Sequence, residues 1–154
     1  MRYYKAKKGS AAKETALKWL SKYIRLRDAL NTTGTDHSAK CVTCDYVYPI
    51  KEMDAGHALS GRNNSILFDE TIIYAQCRTC NRVGGGQYEA FRIYLERKHP
   101  PEWYQLKLEQ RKCNVFFTDD DYRRIGNEYK EKYKKLQERN GMAIKSHQRK
   151  KQIE

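Results

Sequence analysis

The chain has 154 residues and a mass of 18.2 kDa, enough for one domain with a core and too few for two of ordinary size. Its 31 Lys and Arg exceed its 19 Asp and Glu by 12, only 39% of residues are apolar and the mean hydropathy is −0.97, which points to a polyanionic partner. No apolar run approaches the ~20 residues that span a bilayer, and the N-terminus MRYYKAKKGS lacks the apolar stretch of a secretory signal, so a cytoplasmic protein without a membrane partner is expected.

The charge is unevenly placed. Residues 1–27 hold nine basic and one acidic residue, and residues 130–154 hold nine basic and three acidic, while the 102 residues between them carry 13 basic and 15 acidic. The two ends are therefore the expected grip on nucleic-acid phosphates, with Lys7, Lys8, Lys18 and Lys22 at one end and Lys150 at the other.

From Ala11 to Leu30 the sequence has no Gly or Pro, and Leu17, Leu20, Tyr23 and Ile24 share one face, which predicts an amphipathic helix. Lys13, Lys18, Lys22, Arg25 and Arg27 would cover the remainder of its surface. The turn-rich stretch NTTGTDHS ends it. Residues 41–83 then break into short pieces, in which VYPI, ILF and TIIYA have the length and composition of strands. After three glycines, Tyr88, Phe91 and Leu95 mark a second helix, stopped by His99, Pro100 and Pro101, and Pro101 can open a third. A last helix begins after the capping group Thr118 to Asp121, with Tyr122, Ile125, Tyr129 and Leu136 in a stripe that faces either the core or a second copy. Beyond Asn140 a flexible basic tail is expected. The organisation is thus a basic helix (1–36), a core (37–115), an amphipathic helix (116–140) and a tail (141–154), with α+β class.

The strongest chemical signal is Cys41-x-x-Cys44 with Cys77-x-x-Cys80. Two residues between cysteines let both sulfurs reach one tetrahedral ion at ~2.3 Å, and two such pairs complete a closed structural zinc site. Cys113 stands apart as a free thiol. A closed four-sulfur site leaves zinc no open position, so any chemistry must lie beside it. The looped-out segment carries Asp54-Ala-Gly-His57 and then Ser60-Gly-Arg62-Asn-Asn64. His57, with an unperturbed pKa of about 6.5, suits a general base. On a regular strand Asp54 and His57 point to opposite faces, so both can act on one substrate only if the chain bulges or turns near Gly56. Asn81 offers an oxygen either to cap the following helix or to ligate a hard cation such as Mg²⁺.

The order CxxC, His-bearing segment, CxxC-N resembles the zinc-clipped HNH, or ββα-metal, nucleases. DAGH, ILFDE and QCRTCNR, followed by a Gly-rich turn into an amphipathic helix, resemble the phage NinG recombination protein family, also called Rap. The likeness runs over roughly residues 15–140 and includes YIRLRD before the first CxxC and DYRRIGNEYKEKYKKL near the C-terminus. It implies a ββα finger clipped by zinc and flanked by helices, and a metal-dependent endonuclease for branched DNA such as D-loops and Holliday junctions in the host cytoplasm. It further implies His57 as general base and Asp54 and Asn81 as ligands of a catalytic Mg²⁺ or Mn²⁺, with Arg62 a candidate phosphate clamp and Arg82 a further DNA contact. A two-fold junction suits a homodimer. Two positions depart from the family: Ile72 stands where Asn is usual and Tyr74 where His is common. That Asn holds the base-bearing loop, a task open here to Asn63 or Asn64, and its loss raises the alternative of a non-catalytic, zinc-stabilised protein that binds branched DNA.

Overall fold

The computed structural model describes residues 10–61 and 63–151, with side chains described to residue 143. Lys7, Lys8, Arg62 and the Lys150 side chain lie outside the described residues. The fold is α+β, with four helices and two small antiparallel sheets among the described residues. No described helix is long and apolar enough to cross a membrane.

Helix α1, Ala11–Thr32, starts where the Ser10 hydroxyl accepts the Lys13 N–H. Its face of Ala16, Leu20 and Ile24 is buried against α4, Asp119–Lys151. Gly126 lies at the crossing: a Cβ there would sit 3.2 Å from the Ala16 Cα, so the missing side chain lets the helices approach. Tyr122, Ile125 and Tyr129 are buried in this contact, with the Tyr129 and Tyr23 rings 5.7 Å apart. Three of the four residues of the α4 stripe are therefore packed in the chain's own core against α1.

Helix α4 does not end at Asn140, as the tail expectation required, but continues to Lys151. Gly141 is a single weak position, costing about 1 kcal/mol against Ala, and Met142, Ala143 and Lys145 after it are good helix formers.

Strands β1, Ser38–Lys40, and β2, Val47–Pro49, form one hairpin, and β3, Met53–His57, and β4, Ile73–Cys77, form the other. The strand expected at ILF is a turn instead, in which the Ile66 and Leu67 amides both donate to the Asn63 carbonyl. Ile66 and Leu67 are buried all the same, since three apolar residues can reach the core from a turn without a ladder partner. Helices α2, Tyr88–Glu96, and α3, Pro101–Lys112, follow. Phe91 and Leu95 enter the core as their spacing predicts, whereas Tyr88 is 44% exposed.

Two of the α1 cations expected on the surface face inward. Arg27 donates to the Ile73 and Glu70 carbonyls and to Asp28, and Arg25 to the Ile50 carbonyl. Asp28, also buried, accepts the Ala75 N–H at 2.6 Å. With the Val42 N–H on the Ala75 carbonyl at 3.0 Å, these groups satisfy the outer edge of β4 and fix the hairpin to α1.

Candidate functional site

Cys41 follows β1, Cys44 lies in the turn into β2, Cys77 ends β4 and Cys80 lies in a wide helical turn, Thr79–Val83, closed by the Gly84 N–H on the Thr79 carbonyl. Their sulfurs all lie within 4.8 Å of one another, the Cys44 and Cys77 pair at 4.0 Å. Sulfurs ~2.3 Å from one tetrahedral ion are themselves separated by a little under 4 Å, so the four can hold a zinc ion. Backbone N–H groups already point at the sulfurs, Cys77 at Cys41 (3.3 Å) and Cys80 at Cys77 (3.4 Å). Burial pushes the Cys41 thiol up, but hydrogen bonds from the Thr43 hydroxyl and the backbone outweigh it and bring it down to about 7, toward the thiolate a metal requires.

The clip joins the end of β4 and the turn after it to the β1–β2 hairpin. The β3–β4 ladder is continuous, Asp54 facing Gln76, Gly56 facing Tyr74 and His57 facing Ile73, with no bulge at Gly56. Asp54 and His57 therefore project from opposite faces, and the turn that would bring both to one substrate is not there. Gly56 has another reason: its Cβ would lie 2.4 Å from the Gln76 Oε1, so glycine leaves room for this fully buried amide, which donates to the Gly86 carbonyl and the Thr43 hydroxyl.

His57 ends β3 with Nε2 3.0 Å from the Leu67 carbonyl. A carbonyl only accepts, so Nε2 carries the proton and Nδ1, which is shielded from solvent, is the basic nitrogen of the neutral ring. The loop supplying that carbonyl is tied down from several sides. Asn63 Nδ2 donates to the Arg111 carbonyl and Asn64 Nδ2 to the Val115 carbonyl, while the Tyr122 hydroxyl donates to Asn64 and the Tyr129 hydroxyl to the Phe68 carbonyl. Lys107 pairs with Asp69 at 2.6 Å, both largely buried. Ile72, in the position of the family's Asn, is buried, and its backbone carbonyl accepts the Ala58 N–H beside His57. The two asparagines and the backbone thus hold this loop.

The opposite face of β3 brings together Asp54, Asn81 and Arg82. Arg82 donates to both Asp54 oxygens at 2.8 Å, and Asn81 Nδ2 donates to one of them at 2.9 Å. Partial burial works to raise the Asp54 carboxyl, but these two donors hold it below the usual carboxylate range. Asn81 is thus neither a helix cap nor alone, and Arg82, expected only as a DNA contact, is the Asp54 partner. A carboxylate and an amide side by side, reachable from solvent, are a donor pair that a hard divalent ion accepts once the guanidinium moves away.

Of the other expected DNA contacts, Lys18 is exposed on α1 and the Lys22 ammonium lies 4.5 Å from the Trp19 ring centre, with Lys130 of α4 over the same ring at 5.6 Å. The sequence reasoning missed Arg27, Asp28 and Gln76, although an adjacent Arg-Asp pair late in an amphipathic helix is a signal for an inward ion pair.

Neither curated proteins nor solved structures gave a match to the chain. The family described as Bacteriophage Lambda NinG protein matches residues 1–139, a span that includes the cysteine clip, both faces of the hairpin and most of α4. The chain belongs to the bacteriophage lambda NinG family of phage recombination proteins.

Proposed function

We propose that the protein is a structure-specific endodeoxyribonuclease of the HNH type, cutting branched intermediates such as D-loops and Holliday junctions during phage recombination. In this reading β3, β4 and the helical turn Thr79–Val83 are a ββα finger, and zinc on the four cysteines is its structural staple. The observation that carries the reading is His57, with its Nε2 proton committed to the Leu67 carbonyl and its loop anchored by Asn63 and Asn64. A histidine fixed in that tautomer is prepared to take a proton from water at Nδ1 as the water attacks phosphorus and the 3′ oxygen leaves. Because Nδ1 is shielded, its use as a base requires that the site open when DNA binds.

Asp54 and Asn81 are the residues that would hold a catalytic Mg²⁺ or Mn²⁺, which when bound would neutralise charge developing on the phosphate; since they lie across β3 from His57, both groups reach one phosphate only if the end of the strand turns when DNA binds. Arg82, whose side chain is 62% exposed, would leave Asp54 for a DNA phosphate. Arg62 and the terminal lysines complete the expected phosphate contacts. The test is incubation of the zinc-loaded chain with a labelled Holliday junction and a matched duplex. Mg²⁺ or Mn²⁺ should support nicking of the junction, and Asp54→Asn should weaken Mn²⁺ binding about tenfold or more; unchanged Mn²⁺ affinity would make Asp54 an anchor for Arg82 alone.

A second reading, a non-catalytic protein that binds branched DNA, draws on the opposite facing of Asp54 and His57 and on the Arg82 pair that takes up the carboxylate. It predicts salt-sensitive junction binding with no cleavage in any divalent metal.

A further inference from the structure

A cavity of about 530 Å³ lies on the other side of β4 from β3, between the end of α1, the clip and the end of α2. It falls within the ~300–1,000 Å³ of sites that take small organic groups. Its lining includes one cysteine of the clip, Cys41, but not His57, Asp54 or Asn81.

Its wall has two tyrosines and a cation. The Tyr74 and Tyr94 rings meet edge to face, centres 5.1 Å apart, and the Lys98 ammonium lies 4.6 Å from the Tyr94 centre and 5.3 Å from that of Tyr74. The other charges of the cavity are already matched: Arg27 pairs with Asp28, and Lys40 with Asp45 at 3.2 Å. Among the described residues no carboxylate pairs with Lys98, and no hydrogen bond engages the Asn31 side chain at the rim. The cavity thus combines aromatic surface, one cation without an anionic partner and one amide with unused donor and acceptor, the groups that stack on a base, meet a phosphate and read a base edge.

We propose that this cavity receives a single unpaired nucleotide of the DNA. Its base lies against Tyr94 and Tyr74, its phosphate against Lys98 and its polar edge toward Asn31. The proposal rests on the DNA-binding part of the reading above and names the feature by which branched DNA would be told from duplex. An extrahelical or single-stranded nucleotide enters such a pocket at little cost because it is already unstacked, whereas a paired one must first be pulled out. Tyr74 gives the location its meaning. It faces Gly56 across the ladder and so lies on the Asp54 face of the hairpin, opposite to His57, where a nucleotide held here would set the DNA backbone beside the proposed metal ligands.

The test uses the full zinc-loaded chain and two DNAs that differ by one unpaired 2-aminopurine nucleotide at a junction. Wild type should bind the DNA with the unpaired nucleotide about tenfold or more tighter and change the 2-aminopurine fluorescence. Lys98→Ala, a surface change that leaves the fold intact, and Tyr94→Leu should each remove most of that preference while affinity for plain duplex stays within about twofold. Equal loss on both DNAs, or no loss on either, overturns the pocket. A parallel titration with free deoxyadenosine monophosphate, followed by NMR at Lys98 and Tyr94, separates the two claims. If no DNA binds but the mononucleotide perturbs these residues, the DNA reading fails and a nucleotide site stands. If duplex binds and the mononucleotide perturbs nothing there, the pocket proposal fails and the DNA reading stands.

Discussion

The helical clamp and the cysteine-clipped hairpins are built from different materials. Around α1 and α4 the core is made of large side chains, with Leu20, Ile24, Phe91, Leu95, Tyr122 and Tyr129 in one continuous cluster. Under the clip the cluster is Ala29, Ala39, Met53 and Ala75 with Cys41 and Cys77, mostly small groups with little apolar area to bury. The clamp can stand on packing, whereas so small a cluster would need a metal on the four cysteines. The proposed chemistry lies at the join: β3 begins in the clip cluster at Met53 and ends at His57, whose loop is held by α3 and α4.

The largest expected effect separates the two regions. Metal binding to a four-cysteine site is folding free energy of ~10–16 kcal/mol in zinc-finger peptides, so chelation or Cys41→Ser should unfold the clip while α1 and α4 keep their helicity. Amide exchange would show it, with residues 38–57 losing protection and residues 16–29 retaining it. Equal loss in both regions would mean that the clamp also depends on the metal.

On the clamp side, Leu20→Ala removes a fully buried side chain facing α4 and should cost about 2–5 kcal/mol in urea unfolding, with zinc content unchanged. A loss of zinc in that variant would show that the two cores fold as one.

A smaller effect is expected where the clamp grips the loop after His57. Burial works to raise the Asp69 carboxyl, but the hydrogen bonds from Lys107 and Thr71 outweigh it and hold it below its ordinary value. A folded-state pKa below the unfolded one contributes stability that is present above the unfolded value, near 3.8, and is lost as pH falls through the folded value. Lys107→Met should therefore cost about 1–3 kcal/mol at pH 7 and flatten the loss of stability below pH 4. An unchanged acid limb would place the acid sensitivity in other carboxylates.

What the sequence disclosed follows the same division. The clip was legible because Cys-x-x-Cys repeated at a distance has few other uses, and α1 and α4 were legible because their apolar spacing is that of a helix buried on one side. The turn at Ile66–Phe68 was not, since three apolar residues do not distinguish a strand from a buried turn. The run of α4 past Asn140 was hidden by one glycine. At the site, the sequence named His57, Asp54 and Asn81 and the opposite facing that a regular strand gives the first two, but not whether the strand bulges at Gly56, which the unbroken register answers. Nor did it pair Arg82 with Asp54, because adjacency of Asn81 and Arg82 on a helical turn does not reveal what faces them across the hairpin. The role of Asn63 and Asn64 depends on contacts 48 and 51 residues away, beyond the reach of local pattern.

The most direct test of the central claim is cleavage of a Holliday junction in Mg²⁺ or Mn²⁺ by wild type and His57→Ala, with junction affinity measured alongside. If His57 is the general base, cleavage by the variant falls about 10²- to 10⁴-fold while affinity and zinc content are unchanged. Equal cleavage by the two proteins would contradict the assignment, and cleavage by neither, with tight binding by both, would leave the protein a binder of branched DNA.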